Sequence, residues 1–151
     1  MDLNLQILRN NIITNDRLLK MNKTNTNICE FCTSVDNTLH RLYQCNFSRH
    51  IWRTLDEIFA MVGIYTFTDA KQCLLGDPDR GPNTVFNYLI YNTKLFLNNC
   101  HIHKNRPTPA PFIWYLARLS NTFNDIKVID KVADNNTWKK LSNYFNKDIN
   151  N

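Results

Sequence analysis

The chain has 151 residues, enough for one globular domain or two small ones sharing a core. A hydrophobic fraction of 43% with 12% aromatics excludes a disordered tail, and only three glycines argue against a turn-rich β-sandwich or a Gly-rich phosphate loop. The formal charge of +5 favours acidic partners, nucleic acid first, although many soluble domains carry a similar excess.

In chain order the apolar residues follow a helical period almost throughout. Leu5, Leu8 and Ile12, with Ile7 and Ile13, predict an amphipathic helix from the chain start. Thr14 offers a capping hydroxyl to a short turn carrying Leu18 and Leu19, and residues 22–27 form a polar loop. After Cys45, Asn46 is expected to cap a helix that lines up Ile51, Trp52, Leu55, Ile58, Phe59 and Val62, with Gly63 at its end. A short helix from Thr68 and Asp69 to Gly76 follows, then a loop of Asp77, Pro78, Gly81 and Pro82. Residues 83–103 are apolar on most faces, as in a buried central helix. Pro107, Pro109 and Pro111 precede a helix with Phe112, Ile113, Leu116, Leu119 and Phe123, and Trp138, Leu141, Tyr144 and Phe145 mark a last amphipathic segment. The expected class is mainly α, with a zinc knuckle inserted between helices and a small helical bundle after it. Its expected parts are a helix and knuckle over 1–62, a linker with a short helix over 63–82, and a helical region over 83–151.

Five cysteines cannot all pair as disulfides. Neither a signal-peptide pattern nor an apolar run long enough to span a bilayer is present, so an intracellular setting, nuclear or cytoplasmic, is expected. In a reducing compartment, closely spaced cysteines point to metal. Cys29, Cys32, His40 and Cys45 provide such a set. A Cys-x-x-Cys turn puts two sulfurs on one side of a tight loop, and the later imidazole and thiol can close a tetrahedron. Three thiolates and one imidazole form a closed structural zinc set with no corner left for water, so one structural zinc is expected. A redox Cys-x-x-Cys would want a βαβ context, which a helical chain does not supply. A lone histidine is more often a core or surface residue, but the four together resist that reading.

Cys73 reads as core, and His50 as exposed. Cys100, His101 and His103 are clustered in sequence, but imidazoles at i and i+2 point to different faces of a helix. The residues hold no Gly-rich phosphate loop, no nucleophile elbow and no paired aspartates on an apolar strand. Asp77 and Asp79 read as solvated loop carboxylates.

The string from Leu8 to Leu18, then Cys29-x-x-Cys32, Asn37-Thr38-Leu39-His40, Cys45 and Trp52, resembles the zinc-binding C-terminal domain of non-LTR (LINE-type) reverse transcriptases. Leu42 and Tyr43 stand where that family has two hydrophobic residues, whereas Asn37 replaces its usual glutamate. The resemblance is strongest over residues 5–60. It implies a non-catalytic accessory role beside a polymerase, holding RNA template or DNA target, with the polymerase domain as a further partner. The catalytic Tyr-x-Asp-Asp of that polymerase is absent from this chain, which therefore reads as a fragment, truncated element or domesticated remnant. No membrane and no small-molecule substrate are expected.

The residues themselves lean the same way. Lys20, Lys23, Arg41, Arg49 and Arg53 surround the knuckle as candidate phosphate contacts, and Phe31 and Tyr43 are candidates for stacking on unpaired bases. Against this, Arg49 and Arg53 at i, i+4 also suit a solvated helix face, and Tyr43 and Trp52 suit a small core beneath the metal. The rival class is a zinc-stapled interaction module whose apolar helices dock on a polymerase body or partner chain.

Overall fold

A computed structural model of the chain describes residues 3–9, 11–64, 69–80, 84–126 and 135–149. Among these the helices are α1 (Leu3–Leu8), α2 (Asn15–Lys20), α3 (Asn46–Met61), α4 (Ala70–Leu75), α5 (Val85–Ile102), α6 (Pro109–Ile126) and α7 (Asn135–Ile149). A wide π-type turn at His40–Gln44 precedes α3, and a 3-10 turn at Pro78–Arg80 follows α4. The only pairing of extended backbone among the described residues is an isolated antiparallel bridge, Ile28 with Val35, so the mainly α class holds. No helix among them is long and apolar enough to cross a membrane.

Local chemistry explains several helix ends. Thr14 Oγ1 accepts the Arg17 N–H at the start of α2, and Asp69 Oδ1 accepts the Gln72 N–H at the start of α4. Gly63 and Gly76, at φ +84° and +79°, take the left-handed conformation that closes α3 and α4. Asn46 is the first residue of α3 rather than its cap. Cys45 occupies the capping position, because the wide turn bonds its N–H to the His40 carbonyl at 2.9 Å. Pro109 and Pro111 fall in the first turn of α6, where no N–H needs an intrahelical partner.

The first helix is shorter than expected. It ends at Leu8, and Leu3 and Ile7 face inward while Leu5 and Leu8 are exposed. Ile12 is buried from the extended segment that follows, and Ile13 is exposed. Thr68, Gly81, Pro82 and the side chain of Phe123 lie outside the described residues.

One apolar core runs from Leu3 to Phe145, so the stretch expected as a linker does not divide two cores. Ile51, Trp52, Leu55, Ile58 and Phe59 form the buried stripe of α3, and Phe59 stacks on Phe86 of α5 with ring centroids 5.0 Å apart. Phe96 of α5 meets Phe112 of α6 at 5.2 Å, and Trp138 of α7 meets Tyr88 edge-on at 6.0 Å. Full burial of a phenylalanine such as Phe59, Phe86 or Phe112 contributes on the order of 2–3 kcal/mol by transfer. Cys73 is wholly buried, as expected. Helix α5 also hides Lys94, whose Nζ donates to the Leu74 carbonyl at 2.8 Å and to Asn4 Oδ1, tying α5 to α4 and α1.

Candidate metal centre

Two short-range devices build the cysteine loop. The Cys29 N–H donates to the Ser34 carbonyl at 2.8 Å and the Asp36 N–H to the Asn27 carbonyl at 2.7 Å, which folds 27–36 back on itself. Inside that fold the Phe31 N–H points at Cys29 Sγ, 3.5 Å away. Asn37 Oδ1 then accepts the His40 N–H at 2.8 Å and starts the turn that presents the imidazole. Asn37 therefore caps this turn.

Cys29, Cys32, His40 and Cys45 converge, with one ligand atom from each and all four within 4.8 Å of one another. Cys32 Sγ and His40 Nε2 are 3.3 Å apart. Donors around a tetrahedral zinc at about 2.3 Å stand roughly 3.8 Å from each other, so the set fits the ion with small adjustments. Cys29, His40 and Cys45 are buried and Cys32 is half-buried. The thiols are crowded. Cys29 is pushed up to about 12, first by its hydrogen bond with Cys45 and then by burial, while that same bond lowers Cys45 to about 7. A cation in place of the shared proton relieves both. These four residues can hold a metal ion.

What stands behind the ligands is equally ordered. Ser48 Oγ donates to the Arg41 carbonyl at 2.6 Å and Trp52 Nε1 to the Leu42 carbonyl at 2.6 Å, so α3 satisfies two carbonyls of the wide turn. Trp52 is itself buried. Asp36 is fully buried and receives the Asn15 N–H at 2.8 Å and two donors of the Arg41 guanidinium. A third Arg41 donor reaches the Ile13 carbonyl at 2.8 Å, which straps the segment before α2 onto the knuckle.

Arg41 is thus a correction. Expected as a surface phosphate contact, it is 4% exposed and neutralises Asp36. The remaining cations are at the surface: Lys20 in an ion pair with Asp16, Lys23 beyond the end of α2, and Arg49 and Arg53 on the outer face of α3. Tyr43, Arg49 and Arg53 come together with Trp52 and Asp56 around a depression of about 180 Å³, while Lys20 lines another of about 150 Å³ with Arg17 and Asn37. Phe31 is half-buried, edge-on to Phe47 at 6.2 Å and 4.7 Å from the His101 ring. His50 is exposed, as expected.

Sequence reasoning missed the end of α5, some 55–60 residues beyond the ligands, which reaches the cysteine loop. Lys104 pairs with Glu30 of the Cys-x-x-Cys turn at 3.2 Å, and the Arg106 guanidinium lies over Phe47 at 4.8 Å. His101 is buried. Desolvation first, then the neighbouring Arg41 charge, lowers it to about 4 and keeps it neutral. Cys100 is half-buried, with its thiol pushed up to about 11 by burial, and His103 is exposed. Among the described residues Cys100, His101 and His103 form no metal-ligating group. Comparisons of the chain with protein-family models, with curated proteins and with solved structures find no match.

Proposed function

We propose that the chain is a non-catalytic module in which one structural zinc, held by Cys29, Cys32, His40 and Cys45, presents a basic, aromatic surface to single-stranded RNA or DNA. The observation that carries this reading is the convergence of three sulfurs and one imidazole within 4.8 Å. That donor set is soft and fully occupied by protein, which suits zinc in a structural rather than a catalytic role. Zinc there would lock the polar segment 27–45 onto α3. The resemblance to the zinc-binding domain of non-LTR reverse transcriptases supports the same role: holding template or target strand for a polymerase.

Tyr43, Arg49 and Arg53 supply the contact, with the tyrosine ring as a stacking face and the guanidiniums for phosphate. The Arg106–Phe47–Phe31 series adds a second such face beside the cysteine loop. A salt titration of the zinc-loaded protein on a fluorescent single-stranded oligonucleotide tests this. Replacing Arg49 and Arg53 with glutamine should flatten the slope of log K against log salt by about 1.4, roughly 0.7 per phosphate contact. Oligonucleotide binding that ignores salt and both substitutions would refute the reading and favour an apolar docking module instead.

A further inference from the structure

Resting on the zinc reading, we propose that Asp36, Arg41 and Asn15 are positioning residues for the metal. None of them is a ligand. Together they hold the two ligand-bearing pieces of the knuckle in register and set how tightly the ion binds.

The four donors come from two separate pieces of chain. Cys29 and Cys32 belong to the folded-back stretch 27–36, whereas His40 and Cys45 stand at the two ends of the wide turn. An ion that must gather both pieces loses affinity to the ordering of the chain between them. A clip that joins the pieces without the ion removes that cost.

Such a clip is present. Asp36 closes the first piece and is fully buried, and Arg41 directly follows His40 in the second and is buried too. The guanidinium donates through Nε to Asp36 Oδ1 at 3.1 Å and through a second nitrogen to Oδ2, a two-point contact that fixes angle as well as distance. Apolar residues of similar volume could stabilise as much as a buried ion pair. What the pair adds is a register that cannot slide. The segment before α2 then acts as a splint. The Asn15 N–H donates to Asp36 Oδ2 at 2.8 Å, and its side-chain Nδ2 reaches the Ile28 carbonyl at 2.7 Å, one residue before Cys29. The Asp16 N–H adds a bond to the Asp36 carbonyl at 3.1 Å, and Arg41 donates to the Ile13 carbonyl at 2.8 Å. Both ends of the first piece and the start of the second are thus pinned to residues 13–16.

The test measures Zn2+ affinity of the full chain by competition with a chromophoric chelator. Four proteins are compared: wild type, Arg41→Met, Asn15→Ala and Leu141→Ala. Leu141 is fully buried on α7, which packs on α6, so its truncation lowers the melting temperature without touching the clip. Arg41→Met should weaken zinc by about 10- to 100-fold, the usual effect of removing a group that orients metal ligands. Asn15→Ala removes only the bond to the Ile28 carbonyl and should weaken zinc about threefold. Leu141→Ala should bind zinc as the wild type does, despite its lower stability. If Arg41→Met does not fold, Asn15→Ala against Leu141→Ala decides the matter. Wild-type affinity in both clip variants, or an equal loss in Leu141→Ala, would overturn the positioning role while the zinc reading stands. A folded wild-type chain that takes up no zinc would remove both.

Discussion

Replacing Arg41 with methionine keeps the apolar stem of the side chain and removes its charged head, which strands the Asp36 carboxylate. Asp36 is fully buried and receives three donors, two of them from Arg41. After the substitution only the Asn15 N–H remains, and the Ile13 carbonyl loses its donor too. Breaking a buried pair from one side costs on the order of 3–5 kcal/mol, because a buried charge is left uncompensated. For a chain of this size that corresponds to a fall in Tm of roughly 10 °C. Urea unfolding of the zinc-loaded protein, followed by tryptophan fluorescence with zinc content checked in parallel, measures the loss. Adding Asp36→Asn to Arg41→Met removes the stranded charge and should restore about half of it. A loss of less than about 1 kcal/mol for Arg41→Met, the worth of one exposed pair, would refute the reasoning. A selective loss of oligonucleotide affinity in that variant would return Arg41 to the surface role first expected of it.

Three further outcomes follow from the geometry. His101 is lowered from 6.5 to about 4, so its contribution to stability is complete above pH 6.5 and is lost as the pH falls toward 4. By pH 5 the wild type should lose about 2 kcal/mol relative to His101→Leu, read from urea midpoints across pH 5–7.5. Gly76→Ala should destabilise by about 1–3 kcal/mol in thermal melts. It forces a side chain to φ +79° and puts Cβ 2.7 Å from Asn87 Oδ1, itself held by the Asp77 N–H. The Arg49→Gln, Arg53→Gln pair should leave the melting temperature nearly unchanged while flattening the salt dependence of strand binding, since both side chains are exposed on α3.

The long amphipathic stripe of α3 and the nearly all-round apolar α5 were readable because period and length agree over four or more turns. The candidate ligand set was readable because all four donors lie within 17 residues, close enough for local chain geometry to gather them. What escaped reading depends on contacts distant in sequence. Arg41 and Arg49 look alike in the sequence, yet the wide turn at 40–44 aims one at Asp36 and leaves the other in water. Nothing local around Cys100–Lys104 announces that this end of α5 meets Glu30 and Phe31, because the docking is set by the shared core of α3 and α5. The short α1 was misjudged for a related reason: its buried face is chosen by α4 and α5, through Lys94 and Asn4, rather than by its own weak period.

The most direct test of the central claim is the metal content of the chain purified without added metal, beside a Cys32→Ser, His40→Ala variant. About one zinc per chain in the wild type, lost in the variant together with cooperative unfolding of the knuckle, is the predicted result. A wild-type chain that unfolds cooperatively with no bound metal, and a variant that unfolds identically, would contradict it and leave the four residues as core cysteines and a buried histidine.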